Sequence, residues 1–301
     1  MRMHADEVDT DAALVSLLLS EQFPQWAGLP IRPVISAGTD NALYRLGDDM
    51  VVRLPRIEGA AAQVDKEQRW LPTLAPCLPL VVPVPLAQGE PGHGYPWLWS
   101  ICRWVEGQDA TVAPVADSRE AAVSLGSFVT ALQTIDASGG PAPGQHNSFR
   151  GEPLAARDSE TRAAIAQLHA LVDADAATAV WEAALEAPVW DGQAVWLHGD
   201  LLATNLLVRN GRLSGVIDFG CLGVGDPACD VMVAWTYLLP DTRRVFRDAI
   251  QVDHATWHRG RGWALSFGLI ALPYYQTTNP VLAGIARRAV DEAIADFRGV
   301  A

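Results

Sequence analysis

Lysine is almost absent from this chain. Of 22 basic residues only Lys66 is a lysine and the rest are arginines. Any task that usually falls to lysine must therefore fall to Lys66 or to an arginine. Positive charge is scarce altogether: 35 acids oppose those 22 bases, for a formal net charge of −13. A nucleic-acid binder needs a basic face to neutralise phosphates, and an anionic membrane surface demands the same, so both partners are excluded as expectations. No stretch approaches the roughly 20 apolar residues of a membrane span. The four cysteines, Cys77, Cys102, Cys221 and Cys229, are too sparse for a disulfide scaffold and fit no zinc spacing. The apolar run 12–19 follows Asp6, Glu7, Asp9 and Asp11, where a secretory signal carries positive charge, so a reduced cytoplasm is expected. Repeats and low-complexity tracts are also missing. What remains is a globular composition, 50% hydrophobic and 19% charged, over 301 residues, enough for two lobes with sizeable cores.

The periodicity divides the chain. Thr10 or Asp11 caps a first helix with Leu14, Leu17 and Leu18 at helical spacing, and Pro24 ends it. Residues 31–36, 42–46 and 50–54 read as a three-stranded meander, and 58–74 as a helix. Two further strands are expected at 84–87 and 97–105. From Ser118 the pattern is mostly helical, with stripes at Leu125, Phe128, Val129 and Leu132 and at Ile165, Leu168 and Leu171. Residues 139–152, rich in glycine and proline, read as an exposed loop. A strand at 194–197 and a hairpin, 206–209 and 212–218, interrupt the helices. Asn210-Gly211 suits a type I′ turn because both central residues need φ > 0. The expectation is an α+β, bilobal chain: a strand-rich lobe over 1–105, ending in a hinge, and a larger, mostly helical lobe over 106–301.

The chemistry concentrates in His198-Gly199-Asp200-Leu201, Asn205 and Ile217-Asp218-Phe219-Gly220. Asp200 follows a strand on a loop, where a side chain is exposed yet held. Asn205 opens the hairpin and Asp218 closes it. Two carboxylates and an amide oxygen thus converge at one edge. Hard oxygen donors in that number suit Mg²⁺, which keeps several waters and is usually completed by substrate phosphates. A carboxylate left off the metal can orient a hydroxyl. Elsewhere, Ala60, Val64, Leu71 and Leu74 form the apolar stripe of the 58–74 helix, and Glu67 falls in its middle. A carboxylate there needs a cationic partner, unless it turns to solvent with Lys66 or Arg69. His254 and His258 are spaced i, i+4 without the acid of a zinc motif, and read as packing.

The block 198–220, followed by Gly225-Asp226-Pro227-Ala228-Cys229-Asp230, resembles the aminoglycoside phosphotransferase family. That family is a branch of the protein-kinase-like fold which also includes kinases of choline and other small metabolites. The resemblance covers nearly the whole chain. It implies phosphoryl transfer from ATP or GTP, with Mg²⁺, to a hydroxyl of a small molecule, in a monomer or weak dimer. By this resemblance Asp200 is the catalytic base, Asn205 and Asp218 hold Mg²⁺, and His198 supports the catalytic loop. Asp226 and Asp230 are expected to cap the next helix and brace that loop. Such kinases contact the α/β-phosphates with a strand lysine; here the position is Arg53, whose fork can hold phosphate, and Glu67 would be its partner. Ser36, Thr39 and Asn41 belong to a turn that would fold over the triphosphate. The segment 102–106 is the expected hinge, with the Arg103 carbonyl and the Val105 amide edging the base.

The acceptor is less determined. The second lobe carries 23 acids and 14 bases, a field that favours a polycationic aminoglycoside. No carboxylate cluster beyond Asp291, Glu292 and Asp296 stands out there. The stretch Val51-Val52-Arg53-Leu54-Pro55-Arg56 is also similar to macrolide kinases, whose pocket would be apolar and whose donor is GTP in some cases. The aromatics Trp235, Tyr237, Trp257, Trp263, Phe267, Tyr274 and Tyr275 serve either as core or as an acceptor wall. Competing readings are a choline- or homoserine-like metabolite kinase, a nucleotide-binding pseudokinase and a metal-dependent hydrolase. Intact Asp200, Asn205 and Asp218 oppose the pseudokinase, and the missing histidine pair opposes the hydrolase.

Overall fold

The computed structural model describes residues 7–35, 38 and 40–299. Asp11 caps helix α1 (Ala12–Gln22), its side chain accepting from the Leu14 amide. The buried face is Val15, Leu18 and Leu19, whereas Leu17 is exposed. Strands β1 (Ile31–Val34), β2 (Asn41–Leu46), β3 (Met50–Pro55), β4 (Pro85–Gly89) and β5 (Trp99–Arg103) form an antiparallel sheet in the order β1-β2-β3-β5-β4. Strand β2 alternates between buried and half-buried positions, as a strand with one face on a core must. Strand β3 is buried throughout because it is central, with β2 and β5 on its edges and helix α2 (Glu58–Leu74) across its face. That helix spans the residues its apolar stripe predicts.

The chain then passes through β6 (Gln108–Asp109) into α3 (Ser118–Thr134), α4 (Asp158–Gln167) and α5 (Ala174–Glu186). Leu125, Phe128, Val129 and Leu132 of α3 are fully buried, and Ile165 and Leu168 are buried, but Leu171 lies exposed beyond the end of α4. Strand β7 (Val195–Leu197) pairs with β10 (Gly223–Gly225), and β8 (Leu206–Arg209) pairs with β9 (Arg212–Val216). Asn210 and Gly211 have φ of 53° and 76°, the conformation the type I′ turn requires. Short helices α6 (Ala228–Val231) and α7 (Val233–Thr236) lead to α8 (Pro240–Ile250), α9 (His254–Tyr275) and α10 (Pro280–Phe297). The long α9 and α10 pack along each other, and α9 also contacts α4, α5 and α6, so it is the spine of the larger core.

The apolar residues form two clusters. The smaller lies between α1 and the five-stranded sheet, around Trp99 and Tyr95. The larger is helical and also takes in Leu71 and Leu74 from the end of α2. Helix α2 therefore belongs to both halves. Residues 139–152 are not simply an exposed loop: Asn147 and Arg150 are buried, and Gly151 abuts Gly225. The polar and glycine content here serves close packing against β10, not solvation.

Candidate active site

The loop after β7 is held from below. The Asp230 carboxylate accepts from the backbone amides of His198 and Gly199, both at 2.8 Å. Asp230 sits inside α6 and is not its cap, so of its two expected roles only bracing is realised. Asp226 accepts from the Ala228 amide and from Arg259 at 2.7 Å. Gly199 has φ +80°, and a Cβ there would lie 2.6 Å from the Cys221 carbonyl. Only glycine brings the loop this close to the chain after β9.

His198 is fully buried. Its Nε2 lies 3.0 Å from the Ile217 carbonyl and its Nδ1 3.2 Å from the Asp200 amide. A carbonyl only accepts, so the proton is on Nε2, and Nδ1 accepts from Asp200. Burial pushes the His198 pKa down to about 4. The ring is a neutral spacer, packed on Phe219 with centroids 4.6 Å apart, that ties the Asp200 loop to the Asp218 turn.

Asn205 donates through Nδ2 to the Asp200 carbonyl at 2.9 Å and to its Oδ2 at 3.0 Å. Both amide protons are thus turned to Asp200, which leaves Oδ1 as a free-facing acceptor by geometry. Burial pushes the Asp200 pKa up to about 6; Arg150 pulls it down, and Asp218 and Asp40 push it further up. Arg150 Nη2 lies 3.9 Å from Asp200 Oδ1. Nothing in the Gly/Pro-rich 139–152 segment signals this residue, because its contact spans fifty positions.

Asp218 adopts φ +63°, a left-handed conformation uncommon for a side chain. Its carboxylate is partly exposed and lies 3.8 Å from Arg53 Nη2. Arg53 bonds through Nη1 to Glu67 Oε2, and both side chains are buried. Burial works against the Arg53 charge, but Glu67, Cys102 and Asp218 outweigh it and raise its pKa above the ordinary value. Glu67 thus has a cationic partner inside the fold, not in solvent.

Arg53, Asn205 and Asp218 line one cleft of about 670 Å³ together with Asn41, Arg103 and Val105. Ser36 and Thr39 lie outside the described residues. The Arg103 side chain points away toward Asp49, at 3.4 Å. The donor set also fits Mg²⁺: the Asp218 carboxylate and the Asn205 amide oxygen are hard ligands lining the same cleft. Among the described residues no three His, Cys, Asp or Glu side chains cluster as a metal site. Two protein ligands suffice where phosphates complete the shell. His254 and His258, with ring centroids 6.4 Å apart, make no such site.

The acids of α10 are already engaged. Glu292 bonds Arg243, Asp296 lies 3.1 Å from Arg261, and Asp291 lies 2.7 Å from Arg287. Of the aromatics, Trp235 and Trp263 are fully buried, Trp257 and Phe267 nearly so, and Tyr274 is exposed. Trp263 and Phe267 lie 5.7 and 5.9 Å from the Arg150 guanidinium.

Residues 32–263 match the model of the phosphotransferase enzyme family. Among solved structures, the GDP complex of wild-type aminoglycoside 2′-phosphotransferase-IIIa superposes with a TM-score of 0.71 at 21% identity, over 96% of this chain and 100% of that one. The macrolide 2′-phosphotransferase MphH from Brachybacterium faecium gives 0.61 at 24% identity, over 93% and 98%. A streptomycin–ATP ternary complex of APH(2″)-IIa gives 0.58 at 19% identity, over 87% and 91%. At these identities the likeness establishes the kinase-like fold.

Proposed function

Because this chain belongs to the phosphotransferase enzyme family, we propose that it moves the γ-phosphoryl group of ATP or GTP onto a hydroxyl of an antibiotic-sized small molecule. The observation that carries the reading is the meeting of Asn205 and Asp218 at a cleft that also holds a buried, carboxylate-anchored Arg53, with Asp200 hydrogen-bonded to Asn205. Asp200 takes the acceptor hydroxyl's proton as its oxygen bonds to the γ-phosphorus and the bond to the nucleoside diphosphate breaks. Its ordinary carboxylate pKa is lifted toward neutrality by burial, which suits a base that must also release the proton afterwards. Asn205 keeps that carboxylate in place. Arg53 holds the α/β-phosphates, and Glu67 keeps the guanidinium extended. Asn205 and Asp218 would hold Mg²⁺, which would neutralise phosphate charge. The Arg103 carbonyl and the Val105 amide edge the base. Residues 1–105 bind the donor, and 106–301 carry the base and the acceptor.

The acid excess supports an aminoglycoside-type acceptor, and relatives of that class share the fold. The arginine pairing of the α10 acids weighs against recognition of a polycation at that helix. Trp263 and Phe267 are buried in the larger core and offer an acceptor no wall, so the macrolide-like reading is supported by relatives of that class that share the fold. A coupled assay with Mg²⁺ and either ATP or GTP, run against kanamycin, a macrolide and choline, separates these. Transfer to an antibiotic is expected. Nucleotide binding without transfer to any acceptor would put the pseudokinase reading in its place.

A further inference from the structure

The single lysine is not spent on the donor phosphates. Lys66 precedes Glu67 on α2 and is buried. Its Nζ donates to the Gly220 carbonyl at 2.6 Å and to the His146 carbonyl at 3.1 Å. A third neighbour is His146 Nδ1 at 3.3 Å. The Nε2 of the same ring lies 2.8 Å from the Ala142 carbonyl. That carbonyl can only accept, so the ring proton is on Nε2 and Nδ1 presents a lone pair to the ammonium. All three ammonium protons thus have acceptors, and none of the three is a carboxylate. Guanidinium is planar and spreads its donors in a fixed fork, whereas this arrangement needs three donors diverging from one atom. In a chain whose other bases are all arginine, this is a position that arginine cannot serve equally.

The three acceptors come from two segments remote in sequence. Gly220 ends the turn that carries Asp218. His146, half-buried, belongs to the segment leading to the buried Arg150. Their common anchor is one turn of α2, whose next residue fixes Arg53. Adjacent positions of a helix point about 100° apart, so Lys66 and Glu67 can face two different parts of the site. We propose that Lys66 is a positioning residue: it clamps the Asp218 turn and the 145–147 segment to α2, so that one helix sets the spacing between the phosphate-binding Arg53 and the metal-binding Asp218. The inference rests on the reading of Asp218 as a metal ligand.

The test is calorimetry of nucleotide binding, which needs no acceptor. GTP and ATP are titrated with Mg²⁺ and with EDTA into wild type, Lys66→Met, Lys66→Arg and Asp218→Asn. Lys66→Met is expected to lose about tenfold in the affinity that Mg²⁺ adds, with metal-free binding within about twofold of wild type, because Arg53 and Glu67 remain paired. Lys66→Arg is expected to restore only part of that gain. An unchanged Mg²⁺ gain in Lys66→Met, or an equal loss with and without metal, overturns the clamp. Asp218→Asn separates the two readings. If it loses the Mg²⁺ gain while Lys66→Met keeps it, the clamp alone falls; if it keeps the gain, the metal assignment falls first. Should Lys66→Met not fold, ¹⁵N-lysine labelling of wild type gives one side-chain ammonium signal. That signal is expected to be protected from solvent exchange and to shift with Mg²⁺–GTP but not with GTP in EDTA. A signal lost to exchange, or one indifferent to the metal, overturns the proposal.

Discussion

Arg53 and Glu67 put a full ion pair where the fold affords little water. Removing one partner of a buried pair costs about 3–5 kcal/mol, because the other charge is left without compensation. Arg53→Ala should therefore unfold at markedly lower denaturant and bind nucleotide weakly. Adding Glu67→Gln should recover much of the stability but not the binding, since the phosphate contact proposed for Arg53 is still missing. Arg53→Lys should fold and keep part of the affinity, because the charge remains and the fork is lost. Urea titrations with paired calorimetry decide each case. His198 makes a pH prediction. Its folded pKa of about 4 lies below the unfolded value, so the unfolded chain takes up the proton first as pH falls. Stability from this residue is lost between about pH 6.5 and about 4. Asp200 and Asp230, both pushed up to about 6 by burial, act in the opposite sense over an overlapping window. A His198→Asn variant removes only the first effect. Its melting temperature should rise relative to wild type between about pH 7 and about 5 in scanning calorimetry, whatever its absolute value.

At the scale of elements, the loop that carries Asp200 depends on backbone geometry as well as on side-chain contacts. Gly199→Ala combines a left-handed φ with a Cβ pressed on the Cys221 carbonyl. It should cost about 2–4 kcal/mol and displace Asp200, lowering turnover as well as stability. Unfolding and rate measurements on one preparation check both. This loop also marks how far a sequence can be read. The 58–74 helix was legible to the residue, because an acid in the middle of an apolar stripe admits few arrangements. The hairpin after Asn205 was legible because Asn-Gly allows few turns. Leu17 and Leu171 continue the helical spacing of their stripes yet are exposed, one on the outer side of α1 and the other past the end of α4. The 139–152 segment misled for another reason. Glycine and proline mark irregular backbone, and they do not say whether it faces solvent or another chain segment. Arg150 and His146 were therefore invisible, since their partners lie far along the chain.

Across the whole molecule, the acid excess is not a measure of free negative charge. On α10 it is matched locally by Arg243, Arg261 and Arg287. Arg243 is buried, and Glu292 is its nearest carboxylate partner. Glu292→Gln should therefore reduce stability by about 1–3 kcal/mol, the cost of weakening a hydrogen bond to a charged group. It should leave the KM for the acceptor within about twofold, because that carboxylate already has its cation. A large KM change without destabilisation would return α10 to the acceptor site.

The placement of Lys66 has a practical consequence. An endoprotease specific for lysine has one peptide bond to attack in this chain, the one between Lys66 and Glu67. That bond lies inside α2, with its lysine buried and bonded to two other segments. Cleavage requires the helix to unwind, and it then splits the chain into 1–66 and 67–301, parting Arg53 from its carboxylate. The rate of that single cut therefore reads out, by gel, how often α2 releases the rest of the enzyme. Bound nucleotide should slow it.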